Sequence, residues 1–203
     1  WTWRVSEQPT TEGEDYASRL QTLGGARWKR ILNVQAPYRW NLRRLELGRC
    51  LDVGCGIGRN LVSLPAGSIG VDHNGAAITA ARGQGLTAYT SSEFPASPDA
   101  NHEAFDSILF AHVVEHMDKN AALELIRTHL PYLRSGGLVV FITPQEKGYT
   151  TDETHVRFVD FGGLSELATA CNLTPRKRYS FPFPRSVGKV FAYNEFVFVC
   201  EKG

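Results

Sequence analysis

The sequence predicts an α/β fold built on a mostly parallel sheet, and three observations carry that prediction. Short runs rich in β-branched and aromatic residues alternate with longer amphipathic segments, with no internal repeat. The first of these runs ends in a glycine-rich turn, "LDVGCGIGRN" at 51–60. At 203 residues the chain fits one domain, long enough to bury roughly 70% of its unfolded surface without cross-links.

In chain order, the segments "EGEDYASRLQTL" and "ARWKRILNVQ" read as helical, Pro37 breaks the second, and "YRWNLRRLEL" resumes it. This stretch is too short for a domain of its own, so residues 1–48 are expected to form a helical lid or buttress on a single domain spanning 1–203. Seven strands are expected at 50–53, 68–71, 88–90, 107–110, 138–142, 175–179 and 196–200. Helices are expected at 60–64, 75–82, 120–133 and 163–171. Strands alternating with helices imply a parallel sheet covered on both faces. The last two strands have no helix between them and are expected to pair antiparallel. Two prolines and polar filler make "FPASPDANHEAF" a loop.

Lys+Arg 22 against Asp+Glu 21 leaves a net charge of +1. No global field therefore draws the protein to DNA or to an anionic membrane, and a small-molecule partner fits better. No apolar run approaches the roughly 18 to 20 residues that a membrane span needs. The four cysteines form no CxxC pair, and Cys50, Cys171 and Cys200 lie in apolar surroundings, so a reducing, cytoplasmic setting is expected for a monomer or homodimer. "APYRWNLRRLELGR" interleaves aromatic and basic residues. It could touch RNA, but it reads better as a solvated helix face that buries Trp40 and Leu42.

Gly54, Gly56 and Gly58 let the backbone turn tightly and approach a ligand, with amides expected to face it. A dinucleotide fingerprint would place a small residue where Arg59 stands, and the spacing is GxGxG instead. Asp52 lies two residues before the first glycine, and Asp72 ends the next strand twenty residues later. A carboxylate there can grip a ribose diol. With both acids, the turn resembles the first motif of class I S-adenosylmethionine (SAM)-dependent methyltransferases. The likeness continues through "FDSILFAHVVEHM" and "YLRSGGLVVFITP".

That resemblance implies a Rossmann-like class I methyltransferase fold with an antiparallel last strand, SAM as cofactor, and S-adenosylhomocysteine as product. It implies that Asp52 and the backbone of Gly54, Cys55, Gly56 and Gly58, with Asn60 beside them, hold the methionine end. Asp72 would hold the ribose, His73 and Asn74 would border the adenine, and Ala111, His112 and His116 would lie along the ligand. Many relatives read the adenine amino group with an Asp after the third strand; here Ser92, Glu93 or Phe94 must serve.

SAM carries its own leaving group, so a hydroxyl acceptor needs positioning and a base near the ends of strands four and five. His112, His116 and His155 qualify by position. Asp152 and His155 are three apart in "TTDETHVRF", so a turn can bring them to one face, with His155 as base and Asp152 orienting it or holding a metal. Some sugar O-methyltransferases are similar in pairing Mg2+ with a histidine base. Glu115 is expected to turn toward the following helix. Tyr193 and Asn194, between the last two strands, suit a sugar ring. The chain is also similar to short actinobacterial methyltransferases, which implies a small-molecule or oligosaccharide acceptor, a mannoside among the candidates. RNA or protein methylation and a non-catalytic SAM-binding subunit are the rival readings.

Overall fold

The computed structural model describes residues 35–203. The expected helices before residue 35 lie outside the described residues, so the 1–48 lid is represented only by its last part. There α1 (Ala36–Arg43) carries Pro37 in its first turn, where the fixed φ of proline is tolerated.

Seven strands form one sheet in the order β3-β2-β1-β4-β5-β7-β6. They are β1 (Cys50–Val53), β2 (Ile69–Asp72), β3 (Ala88–Thr90), β4 (Phe105–Ala111), β5 (Leu133–Pro144), β6 (Leu173–Phe181) and β7 (Glu195–Lys202). The first five pair parallel, and β7 runs antiparallel to both β5 and β6. The expected antiparallel end of the sheet is thus present, with β7 inserted between β5 and the edge strand β6.

Alternation on the central strands explains the two-sided core. Ile108, Phe110, Val139, Phe141, Phe196 and Phe198 face one side, with Ile126 of α3 (Lys119–His129) and Leu164 and Leu167 of α5 (Phe161–Ala170). Leu109, Val140, Val197 and Val199 face the other, with Leu42 of α1. Strands buried on both faces read as nearly continuous apolar runs, and "SILFA" and "LVVFI" do. Asp118 and Asp160 cap α3 and α5 by accepting two backbone amides each, which sets both starts. The last turn of the helix expected at 120–133 is instead a 3-10 turn, Leu130–Tyr132, because Pro131 cannot continue the ladder.

One expected helix is absent. After the glycine turn the chain makes only a 3-10 turn, Leu61–Ser63. Pro65 forces Leu64 to extended backbone (ψ 158°) and ends the element before an α-helix can form. By contrast α2 (Gly75–Gly83) forms where expected, with the Asn74 side chain accepting from Ala77 N.

The order of the strands fixes where a ligand can bind. β2 lies on one side of β1 and β4 on the other, so the connections leaving their C-terminal ends diverge and open a crevice.

Candidate active site

A cleft of about 460 Å³ occupies that crevice. Its floor is the glycine turn after β1 and Asp72 and His73 after β2; its far wall is His112, His116, Asp152 and His155, and Tyr38, Tyr193 and Glu195 close the top.

Gly54, Gly56 and Gly58 all have positive φ, at 78°, 53° and 85°. A Cβ on Gly54 would stand 2.3 Å from Val113, so glycine is required there for close approach as well as for the turn. The amides expected to face a ligand are largely spent within the protein. Gly54 N and Cys55 N donate to Val71 O, Gly58 N donates to Cys55 O, and Gly56 N donates to Asp72 at 2.8 Å.

Asp72 also accepts from Asn74 N at 2.8 Å, which locks its carboxylate at the tip of β2. Asn74 itself is buried and caps α2, and it is not among the residues that line the cleft. Asp52 is 1% exposed, and its Oδ2 accepts no hydrogen bond. Burial first, and then the nearby Asp72 charge, push its pKa up to about 7.

Of the three residues expected to read an adenine, Phe94 is corrected. It is 2% exposed and packs edge-on against Tyr132 at 4.9 Å and beside Tyr89 and His129, because the core under the β3–β4 connection needs a large apolar side chain. Ser92 and Glu93 stay at the surface. Glu93 accepts from Thr90 N and Arg82, which hold its pKa low, and Ser92 Oγ lies 3.1 Å from Thr90 Oγ1.

The far wall differs most from expectation. His112, in left-handed backbone (φ 58°), has Nε2 2.9 Å from Glu195 and Nδ1 3.3 Å from Glu115. Its recessed position alone would favour the neutral ring, but the Glu115 and Glu195 carboxylates outweigh this and push its pKa up to about 10. An imidazole held protonated is a cation in the wall and not a base, contrary to the expectation for His112. Glu115 is fully buried and faces His112 rather than the following helix.

His155 Nδ1 lies 2.7 Å from the Tyr149 carbonyl, which can only accept, so Nδ1 carries a proton and, in the neutral ring, the lone pair is on Nε2. The ring stacks on Tyr149 at 5.2 Å. Its orienter is therefore Tyr149, not Asp152. Asp152 Oδ1 instead accepts from Thr154 N and Oγ1, and despite the cost of partial burial these bonds hold its pKa low.

The Thr154 hydroxyl spends its proton on Asp152, so toward His116 Nδ1, 3.0 Å away, it accepts, as does the Thr154 carbonyl at 3.2 Å. His116 therefore also presents a bare Nε2. It stands with its ring centre 4.8 Å from that of His155, and burial favours its neutral form.

Among the described residues, the ligand-type side chains that come together are Glu115, His116 and His155, without Asp152. Two imidazoles and one carboxylate suit Mg2+ poorly, since Mg2+ takes oxygen ligands. Asp152, where Mg2+ was expected, is not part of this cluster.

Tyr193 is half-exposed at the cleft, whereas Asn194 is fully buried and bonded to Gln145, Phe183 and Ser180. Sequence reasoning missed Tyr38, Glu195 and the role of Glu115. The alternation of β7 could have aimed Glu195 inward; nothing local marks the other two.

A mostly parallel sheet with a reversed β7 and a cleft over β1 and β4 defines the class I SAM-dependent methyltransferase fold. Residues 16–180 match the family of methyltransferase domains, and the chain belongs to that family. Similar solved structures share the fold at low identity. A SAM-dependent methyltransferase from Archaeoglobus fulgidus is 20% identical, with TM-score 0.60, covering 81% of this chain and 93% of that one. One from Thermotoga maritima, given as a possible histamine N-methyltransferase, is 16% identical with TM-score 0.65, covering 93% and 98%. Geranyl diphosphate methyltransferase in complex with SAM is 13% identical with TM-score 0.64, covering 97% and 94%. No curated protein sequence matches. The chain is a SAM-dependent methyltransferase, and no helix among the described residues is long and apolar enough to cross a membrane.

Proposed function

We propose that the protein methylates a hydroxyl of a small molecule, a sugar or oligosaccharide with mannosides included, and that His155 is the base. The observation that carries this reading is the Tyr149 carbonyl on His155 Nδ1, which leaves Nε2 as a proton acceptor in the cleft wall. His112 is the weaker candidate because two carboxylates hold it charged.

The cleft suits the cofactor on two counts. Asp72 presents a fixed carboxylate where a ribose diol would lie, and Asp52 Oδ2 is a buried acceptor without a partner, near the turn where a cationic amino-acid end would rest. When bound, SAM supplies an electrophilic methyl group and its own leaving group. The chain's part is to orient the hydroxyl, shield it from water and take its proton on Nε2 of His155. Tyr193 offers an aromatic face, and Asp152 and Glu195 offer carboxylates to the remaining hydroxyls of a ring.

The test uses methyl-labelled SAM with a panel of mannosides and other glycans, and with RNA and protein fractions. Label is expected in a glycan, and His155→Ala should lower kcat by about 100-fold or more, with SAM affinity retained. Label confined to RNA or protein would sink the sugar reading. Full turnover in His155→Ala would remove the base.

A further inference from the structure

We infer that Glu115, His116 and His155 form a binding site for a first-row divalent transition-metal ion. This goes beyond the proposed hydroxyl methylation and does not rest on it, although both use the same wall of the cleft.

The geometry supplies a preformed donor set. One ligand atom from each residue lies within 4.8 Å of the others. Ligands about 2.0–2.2 Å from one ion stand some 3.4 Å apart in a tetrahedron, so a small rotation of the two half-buried rings closes the set. Both imidazoles are already in the metal-binding tautomer. His155 Nδ1 donates to the Tyr149 carbonyl, and His116 Nδ1 donates to the carbonyl and hydroxyl of Thr154. Metal-bound histidines characteristically have the second nitrogen held this way by an acceptor.

Glu115 is the independent observation. Its side chain is fully buried, yet neither carboxylate oxygen accepts a hydrogen bond, although His112 Nδ1 stands 3.3 Å from Oε1. The His112 cation stands on the Oε1 side, which leaves Oε2 a buried acceptor with no partner of its own, and such an atom is costly unless a donor or cation joins it.

Two nitrogens and one carboxylate favour Zn2+, Co2+ or Fe2+ over Mg2+ or Ca2+ and leave open positions toward the cleft. The ion would occupy the His155 lone pair that base catalysis needs, so metal and proton compete for the same nitrogen.

Tag-free full-length protein titrated with Co2+ tests the site without any acceptor. One equivalent is expected to bind with a visible absorption band of low-coordinate Co2+, displaced by Zn2+ and not by excess Mg2+. Glu115→Gln and His116→Ala should each weaken binding at least tenfold, with an unchanged far-UV circular dichroism spectrum and cooperative melting reporting an intact fold. Absence of the band, or unchanged affinity in His116→Ala, would overturn the site and leave the base assignment standing. Loss of binding in Asp152→Asn but not in Glu115→Gln would move the ion to Asp152 and equally overturn the assignment.

Discussion

A carboxylate with one bare oxygen and no exposure has to be neutral or paired, and Asp52 illustrates the consequence. Its pKa rises from the ordinary 3.8 to about 7 because the folded protein withdraws it from water beside Asp72. A raised folded-state pKa means that its contribution to stability is fully present below about pH 4 and is lost as pH climbs through about 7. Asp52→Asn cannot ionise, so its melting temperature relative to wild type should rise between pH 5 and pH 8. Parallel curves for the two proteins, measured by thermal melting without ligand, would show that folding does not raise the Asp52 pKa and that the carboxylate is ionised in the folded protein at neutral pH. Asp52 and Asp72 were both legible in the sequence, because strand ends followed by glycine or an acid mark the sheet edge directly. The state of Asp52 was not legible, since its desolvation depends on residues from several strands.

At the scale of one element, α1 shows where periodicity stops being informative. Leu42 is buried as expected, but Trp40 is 56% exposed, stacked on Phe181 at 6.3 Å with Arg44 over its ring, while Asn41 is buried at 1%. The apolar pattern favours Trp40 for the core; a hydrogen bond from Tyr179, 138 residues away, reverses the choice by satisfying Asn41 at 2.6 Å. Tyr38 adds a second tie, donating to the Tyr193 carbonyl at 2.5 Å across the cleft. Tyr179→Phe leaves the Asn41 oxygen without its donor, at a cost of about 1–3 kcal/mol. Because that cost falls on α1 and not on the sheet, amide exchange across Ala36–Arg43 should accelerate by about 5- to 150-fold, with the exchange of β4 and β5 unchanged. Equal protection of α1 in the variant would mean that Leu42 alone anchors the helix.

For the whole molecule, the parts of the cleft that sequence reasoning found are those adjacent to a single strand end, and the parts it missed are assembled across long separations. His112 meets Glu195 83 residues away, and His116 meets Thr154 38 residues away. No local pattern encodes such pairs; the insertion of β7 beside β5 creates the first, and the loop after β5 the second. The same assembly makes Asn194 structural although it lies between two cleft residues. Its amide donates to Gln145 Oε1 at 2.9 Å and to Ser180 at 3.0 Å, and its oxygen accepts from Phe183 N at 2.9 Å; Gln145 in turn donates to Ser180 and to the Glu195 carbonyl. Removing it strands several buried polar groups at once, so Asn194→Ala should cost about 3 kcal/mol or more. At roughly 2–4 °C per kcal/mol for a protein of this size, the melting temperature should fall by about 6–12 °C. Tyr193→Ala removes a half-exposed ring and should cost less than about 1 kcal/mol while weakening acceptor binding. If the two variants melted alike, the β6–β7 connection would be held by its aromatic contacts instead, and the position of Glu195 beside His112 would not depend on the network.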